Sequence, residues 1–225
     1  MKSSVSLYVL ATCLAAITAA QCGLADAGAA LNFNSVVDRV VAAIRQNVSA
    51  YKLNPYHIND VNETFDFAQQ HGRLYSYHGR LHGIESLYRK GDAEVASQDG
   101  LATVTASLGF RELTYALDFR ADVGDLGGPG KVRGDIRLLN VDIALLADVS
   151  NSSDVTAALR SFRPSGEWEV TFDFEDTPMA TKLLEALVYP ITAHVKVTLS
   201  DVLGHEVADI ANSTIRQLRV DMSRP

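Results

Sequence analysis

The sequence predicts an α+β fold in which two helical segments lie on the apolar face of one antiparallel sheet. Most of the chain between Arg73 and Glu175 alternates apolar and polar residues, as a half-buried strand does. Before and after this region, apolar residues recur every three or four positions, which is the spacing of one helix face. Strands that follow one another without intervening helices favour antiparallel pairing, with one face against the helices and one in water.

The N-terminus has the features of a secretory signal peptide. Lys2 supplies a positive charge, residues 5–20 are apolar, and the small residues that end at Ala20 suit a cleavage site. We predict a signal peptide over residues 1–20, with cleavage after Ala27 as the alternative. The remaining residues, 21–225, are predicted to form a single secreted, extracellular domain.

The cysteine content predicts a domain without an internal disulfide. Cys13 lies in the predicted signal peptide, so Cys22 is left as a single cysteine in the mature chain. A single cysteine can pair only with another chain, which leaves a dimer through Cys22 as an open alternative. Stability must then come from apolar burial, for which a domain of about 200 residues is large enough.

The charge of the chain argues against several classes of partner. The 225 residues carry a formal net charge of −7, and an acidic surface repels nucleic-acid phosphates and anionic lipid headgroups. After residue 20, no apolar stretch is long enough to cross a bilayer. We therefore expect no nucleic-acid partner and no stable membrane insertion.

The first predicted element of the mature chain is a helix from Asn32 to Tyr51. Its apolar residues recur at helical spacing: Val36, Val37, Val40, Val41, Ile44 and Val48. Asn54-Pro55 marks the end of the helical region, because the residue before a proline avoids the helical conformation. The stretch from Tyr56 to His71 is polar, and we interpret it as a link to the strands.

Four later runs alternate clearly enough to be assigned as strands. From Ala102 to Phe110 the apolar residues are at even positions, and from Leu113 to Val123 they are at odd positions. A third run extends from Leu139 to Val149, and the run from Trp168 to Phe174 is the cleanest of the four. Each run places its apolar residues on one face of the sheet.

The C-terminal region is predicted to be a long helix that begins at Thr177-Pro178. Proline is favoured in the first position of a helix, and an apolar stripe follows it from Leu183 to Leu218. Because the stripe resumes beyond Pro190, this proline is expected to kink the helix rather than end it.

The sequence contains no arrangement of residues that is typical of catalysis. The glycine-rich segment over residues 124–134 lacks the spacing of a phosphate-binding loop, and we interpret it as a flexible hairpin connection. Three histidines are spaced too far apart along a strand to bind one metal ion: His71, His78 and His82. We therefore predict a protein that is not an enzyme and has neither a cofactor nor a metal site.

Four Asn-x-Ser/Thr tripeptides are candidate glycosylation sites in a secreted chain: Asn47, Asn62, Asn151 and Asn212. Asn62 and Asn151 lie in polar, loop-like stretches, which favours their exposure. The other two lie in predicted helices.

The apolar strand faces and the helix stripe allow two interpretations, which the periodicity does not distinguish. They can pack directly together, or a strongly curved sheet can leave an elongated apolar channel beside the helix. A channel with few polar groups would suit a lipid tail. The candidate lining residues are Leu113, Leu117, Phe119, Trp168, Phe172, Leu184, Leu187 and Ile191.

Several motifs between Gly83 and Val149 resemble those of the group 7 mite allergens, which are secreted arthropod proteins. The most specific of them lies in the segment from Arg89 to Gly100. The others are Gly83-Ile84, Gly124-Asp125-Leu126, the acidic and apolar run Asp142–Val149 and, more weakly, Tyr189-Pro190 and Leu199–Leu203.

The resemblance implies a fold like one half of the tubular lipid-binding proteins, which include bactericidal/permeability-increasing protein and the arthropod juvenile-hormone carriers. In that fold, a curved antiparallel sheet wraps around a long helix (a super-roll). The implied function is non-catalytic binding of lipids or other apolar ligands, with bacterial lipid products as one candidate class. The alternative is a secreted interaction glycoprotein that has a fully packed core and no ligand.

Overall fold

The computed structural model describes residues 33–148 and 156–221, and those from Asn34 onward belong to one compact unit. Within these residues there are three α-helices: α1 (Phe33–Ala50), α2 (Thr181–Asp201) and α3 (Ala208–Asp221). The strands are β1 (Tyr56–Ile58), β2 (Val61–Phe67), β3 (Gln70–His82), β4 (Leu87–Arg89), β5 (Glu94–Gln98), β6 (Leu101–Phe110), β7 (Thr114–Val123), β8 (Leu126–Arg137), β9 (Asn140–Asp148), β10 (Thr156–Ser165), β11 (Glu169–Val170) and β12 (Asp173–Glu175). The predicted signal peptide and Cys22 lie outside the described residues.

The described strands form two antiparallel sheets, a division that the sequence pattern does not predict. The large sheet is centred on β3, β7 and β8; β1 and β2 share one of its edges, and β11 and β12 share the other. The small sheet has the order β10-β9-β6, and β4 and β5 share the edge beyond β6. The predicted order of helix, strands and long helix is confirmed.

Alternation decides which strand faces are buried, as predicted. The even positions from Ala102 to Leu108 are buried in β6, and the odd positions from Leu113 to Val123 are buried on and just before β7. Residues that oppose each other in paired strands share a face, as Val104 and Leu145 do. Each sheet therefore has one largely apolar face.

Residues 56–71 form strands rather than the predicted link. β1 and β2 pair with the two ends of β3, and β3 itself begins at Gln70. In β2 the side chains of Asn62 and Thr64 are exposed, whereas Phe65 is buried. Edge strands of this kind bury few residues, so their sequence is polar overall and gives a weak alternation signal.

The glycine-rich segment is also mostly a strand, which corrects its interpretation as a flexible connection. Gly124 and Asp125 form the turn between β7 and β8. From Leu126 onward the chain is β8, which pairs with β7 from Val123 back to Thr114. The glycines after Asp125 therefore belong to the sheet, where Gly130 and Gly134 face aromatic rings, as described below.

The C-terminal helix begins at Thr181, four residues later than predicted, since Ala180 before it is extended. In the connection after β12, the Thr177 hydroxyl donates to the Glu175 carbonyl. The helix continues through Pro190, as expected. A π-helical segment at Val202–Val207 joins α2 to α3. No helix in the described part of the chain combines the length and apolar character needed to cross a membrane.

The large sheet curves around α2, because its two edges reach opposite sides of this helix. At one edge, the carbonyl oxygen of Asn59 lies 3.1 Å from Nε2 of His194. At the other edge, the ammonium nitrogen of Lys196 lies 5.1 Å from the ring centre of Trp168. Residues two positions apart point about 200° apart around a helix axis. The predicted curved sheet around a long helix is thus confirmed.

The motif that begins at Arg89 fastens α1 to the edge of the small sheet. Arg89 donates to both carboxylate oxygens of Asp38 in α1, at 2.8 and 3.1 Å, and this bidentate bond raises the pKa of the guanidinium. Asn34, near the start of α1, donates to Asp92 and accepts from the backbone N–H of Ala93. The contacts of this motif therefore have a structural role, since they hold α1 against the edge of the small sheet.

Candidate functional site: an apolar wall with an aromatic edge

The face of the large sheet that is turned toward α2 is almost entirely apolar, and we call it the inner wall. Alternation along β3, β7 and β8 places every second side chain on it. Its buried members on and next to these strands are Leu74, Ser76, Leu81, Leu113, Tyr115, Leu117, Phe119, Ala121, Val123, Val132 and Ile136.

Four aromatic rings, which we call the aromatic edge, continue the inner wall to the β11/β12 side of the sheet: Tyr115, Phe119, Phe172 and Phe174. Tyr115 meets Phe172 edge to face at 6.2 Å between ring centres, and Phe119 meets Phe174 in the same way at 5.9 Å. Phe172 and Phe174 are stacked on each other at 6.2 Å. The β7 rings are buried, whereas the other two are half-buried, so the apolar wall reaches the protein surface here.

Two glycines of β8 make room for the rings of β7. Gly130 lies opposite Phe119, and Gly134 lies opposite Tyr115. A Cβ atom on Gly130 would lie 2.6 Å from the Phe119 ring, and one on Gly134 would lie 2.8 Å from the Tyr115 ring. The rings therefore lie over bare backbone, which is possible only where the opposing residue has no side chain.

The run from Trp168 to Phe174 is not the single long strand predicted, because the ladder is interrupted at Thr171. The backbone N–H of Thr171 still donates to the carbonyl of Asp135, but its own carbonyl accepts from the Tyr115 hydroxyl at 2.8 Å. The Asp135 N–H is satisfied instead by the Thr171 hydroxyl, at 2.7 Å. Burial and, to a lesser extent, the Asp135 carboxylate raise the pKa of Tyr115, which keeps its hydroxyl protonated as a donor.

A cleft of about 430 Å³ opens at this interruption, between the outer surface of the sheet and the aromatic edge. Its lining comprises His82, Thr114, Tyr115, Ala116, Arg133, Gly134, Asp135, Thr171, Phe172 and Asp173. Two of its charged groups are in ion pairs, Arg133 with Glu175 and Asp135 with Arg137. The lining of the cleft is therefore mixed, with the Phe172 ring beside the ion-paired Arg133 and Asp135 and the exposed Asp173.

The eight predicted lining residues fall into two groups. Leu113, Leu117 and Phe119 are buried in the inner wall, and Leu187 and Ile191 are buried on α2. The remaining three are half-buried: Trp168, Phe172 and Leu184. Trp168 is in contact with Lys196, and Phe172 belongs to the aromatic edge.

The prediction missed Tyr115 and Phe174, although both alternate in phase with predicted residues. Tyr115 follows Leu113 by two positions, and Phe174 follows Phe172 by two, so the pattern contained the signal for both. Thr171 carried no such signal, because its role depends on the position of the Tyr115 hydroxyl in space.

The described candidate glycosylation sites differ in exposure. Asn62 is exposed on β2, whereas Asn47 and Asn212 are half-buried within helices. The Asn47 side-chain amide also donates to the carbonyl of Ala43 at 2.9 Å. Asn151 lies outside the described residues.

The described residues contain no group of three or more His, Cys, Asp or Glu side chains able to hold a metal ion. His71 and His78 each contact a carboxylate, Asp66 and Asp118 respectively, on the exposed surface. These contacts are 2.7 and 3.0 Å long and pair single residues across strands.

Comparison with one solved structure supports the fold. A crystal structure of lipopolysaccharide binding protein matches 80% of this chain at 13% identity with a TM-score of 0.50, and this chain spans 37% of that longer protein. Takeout 1 of Epiphyas postvittana matches over 82% of this chain and 91% of its own length, at 14% identity and a TM-score of 0.27. At these identities the likeness concerns the fold alone. No curated protein matches the sequence.

The comparison with protein families gives a more specific result. The family model of the group 7 allergens matches residues 32–215. This range includes α1, all the described strands and nearly all of the C-terminal helix. The chain therefore belongs to the group 7 allergen family.

Proposed function

We propose that this protein is a secreted, non-catalytic binding protein for lipids or other apolar ligands. The observation that carries the proposal is the aromatic edge, where Phe172 and Phe174 remain half-buried at the end of an otherwise buried apolar wall. Aromatic surface left in contact with water favours an apolar partner, because covering it removes that surface from water. The ligand lies between the inner wall and α2 and enters at the aromatic edge.

The eight predicted lining residues fit this route in two steps. Trp168, Phe172 and Leu184, which are half-buried, are the first contacts of an incoming tail. The five buried residues lie deeper, and a tail reaches them only if α2 moves slightly away from the sheet. Such a movement exchanges protein contacts for ligand contacts of the same apolar kind, so its net cost is small.

Several other properties favour a carrier of single molecules over a membrane-bound protein. The net charge of −7 disfavours adsorption to anionic bilayers. The apolar N-terminal segment favours secretion. Bacterial lipid products belong to the proposed ligand class, since the protein of the first structural match has lipopolysaccharide binding in its name.

The proposal is tested by binding of a neutral apolar fluorophore, N-phenyl-1-naphthylamine, and by its displacement with palmitic acid and with lipid A. We expect saturable binding with one site per chain, displaced by at least one of the two lipids. Phe172→Ala is expected to weaken probe binding about tenfold, which corresponds to about 1.4 kcal/mol of lost contact. Tyr189→Ala is the matched control, because Tyr189 is 81% exposed on α2, and it should leave binding unchanged.

Absence of probe binding by a protein that is folded by circular dichroism would contradict the proposal. It would favour the alternative of an interaction glycoprotein with a fully packed core. Native mass spectrometry of protein purified from its own source gives an independent test, in which a co-purifying lipid supports the carrier.

We also propose that Asn62 carries a glycan, since it is the described candidate with an exposed side chain. In secreted protein from insect cells, Asn62→Gln should remove one glycan mass, whereas Asn47→Gln should remove none. An unchanged mass for Asn62→Gln would contradict this assignment. Asn151 remains a prediction from its sequon.

A further inference from the structure

One polar side chain interrupts the inner wall of the large sheet. Ser76 is 3% exposed and lies on β3, opposite Phe119 of β7 and Val61 of β2. Its neighbours on the same face of β3 are Leu74 and, beyond a bulge at residues 77–80, Leu81. The Ser76 hydroxyl has no hydrogen-bond partner among the described residues.

An unpartnered hydroxyl is costly in this position. A buried serine whose hydroxyl has no partner typically destabilises a protein relative to an alanine of nearly the same size, because the hydroxyl loses its hydrogen bonds to water. Ser76 and Thr214 are the two buried polar residues of the described chain. The hydroxyl of Ser76 can both donate and accept a bond, and it is directed at the region that the proposed ligand occupies.

Ser76 also lies at a suitable depth for a group carried by a lipid tail. Moving from β3 across β7 and β8 to β12 takes three strand spacings of the sheet, or about 14 Å. This path runs past Phe119 to Phe174, whose rings are in contact at 5.9 Å. A chain that enters at the aromatic edge therefore reaches Ser76 at the far end of its path.

The surroundings of Ser76 restrict the chemistry of the group that it can bind. The inner wall contains no charged side chain, so an ionised carboxylate or phosphate placed there would be buried without a counter-charge. A neutral hydroxyl or ester carbonyl requires only one hydrogen bond. A neutral group is therefore favoured at this position.

We infer that Ser76 hydrogen-bonds a neutral hydroxyl or ester group of the ligand, so that the ligands of this protein are amphiphiles such as fatty alcohols and esters. This inference rests on the proposed function and adds to it the chemical class of the ligand. The serine then selects among apolar molecules, which the rest of the wall binds by surface area alone.

The test compares dodecanol with dodecyl chloride, which has a similar size and lacks the hydroxyl, as competitors of N-phenyl-1-naphthylamine. Wild-type protein should bind dodecanol about tenfold more tightly, as expected for one additional hydrogen bond. Ser76→Ala should lose the preference for dodecanol, because the ligand hydroxyl would then be buried without a partner. The variant should unfold at the same temperature as the wild type or higher. Ser97→Ala, an identical change at an exposed position of β5, should keep the tenfold preference.

The outcomes separate this inference from the proposed function. If both ligands bind equally to the wild type, or if Ser76→Ala keeps the preference, the Ser76 inference is wrong while the carrier function stands. If the probe and both ligands fail to bind, the carrier function is wrong and the inference is wrong with it.

Discussion

The two sheets follow the same rule of alternation but differ in the side chains on their inner faces. In the small sheet, paired β6 and β9 bury small and aliphatic residues, such as Ala102 against Ala147 and Val104 against Leu145. In the large sheet, aromatic side chains lie over glycines of the neighbouring strand, as Phe119 lies over Gly130. Both faces are buried at their centres.

The difference is clearest at the sheet edges. The small sheet ends at β5, whose five residues are all exposed and mostly polar. The large sheet ends at β11 and β12, where Phe172 and Phe174 extend the apolar face into partial exposure. Alternation thus marks an inner face, whereas the size of the side chains and the edge strand decide whether that face ends in a polar edge or extends to the surface.

The largest expected effect comes from Phe119→Ala in the inner wall. Removing a fully buried phenyl ring should lower the free energy of unfolding by about 3–5 kcal/mol in urea denaturation. Leu145→Ala in the small sheet should lower the free energy of unfolding by a similar amount, about 2–5 kcal/mol. The two variants should differ in how far a ligand restores their stability. N-phenyl-1-naphthylamine should raise the free energy of unfolding of the Phe119 variant more than that of the Leu145 variant. Equal rescue of both would remove the distinction between wall and core.

Gly134→Ala should have the next largest effect, because it tests the gap beneath the aromatic edge. A Cβ at this position would lie 1.8 Å from the Thr171 carbonyl oxygen and 2.8 Å from the Tyr115 ring. Overpacking of this kind costs about 1–3 kcal/mol, and it should also expose Phe172 and weaken probe binding. Gly204→Ala is the control, because its Cβ would meet nothing within 4 Å and it should be neutral or slightly stabilising. A Gly134 variant as stable as the wild type would show that the rings do not need the gap.

Tyr115→Phe should lower the free energy of unfolding by about 1–2 kcal/mol, since the Thr171 carbonyl loses its hydrogen-bond donor. The raised pKa of Tyr115 also predicts a pH dependence. Its stabilisation is fully present below the unfolded pKa of about 10 and is lost as the pH rises above that value. Urea denaturation between pH 8 and pH 11 should show a smaller decline for Tyr115→Phe than for the wild type or for Tyr75→Phe, in which the exposed tyrosine is replaced. Parallel declines in all three would contradict the role of Tyr115.

The smallest effect should come from Lys196→Ala, which removes the cation–π contact with Trp168. A contact at this partly exposed position contributes about 0.5–1 kcal/mol. Trp168 is the single tryptophan of the chain, so its fluorescence emission reports directly on the edge where the large sheet meets α2. Lys182→Ala, exposed at the start of α2, should leave the emission unchanged. An unchanged emission for Lys196→Ala would mean that this edge is held by other contacts.

Where a segment is half-buried and regular, its sequence predicted its structure well. β6, β7 and β9 have the predicted phase of burial, and α1 differs from its predicted bounds by one residue at each end. The failures at the sheet edges share a physical cause. β1, β2 and the run around Thr171 lie at sheet edges, where tertiary contacts replace regular pairing. In β1 and β2 the alternation itself is weak, whereas the run around Thr171 alternates cleanly but is interrupted by the Tyr115 hydroxyl. β8 was missed because it is rich in glycine, and two of its glycines make room for aromatic rings that belong to another strand.

The sequence by itself determined the α+β class, the apolar faces of the strands, the long C-terminal helix and most of the residues on the inner wall, because period two and period 3.6 are local properties of the chain. Only the tertiary structure decided that the strands divide into two sheets, that the edges of one sheet flank α2, and that Thr171 exchanges a ladder bond for the Tyr115 hydroxyl. It also decided that Ser76 is left unpartnered within the inner wall. These features depend on which residues meet across long separations in the chain, and no local period contains that information.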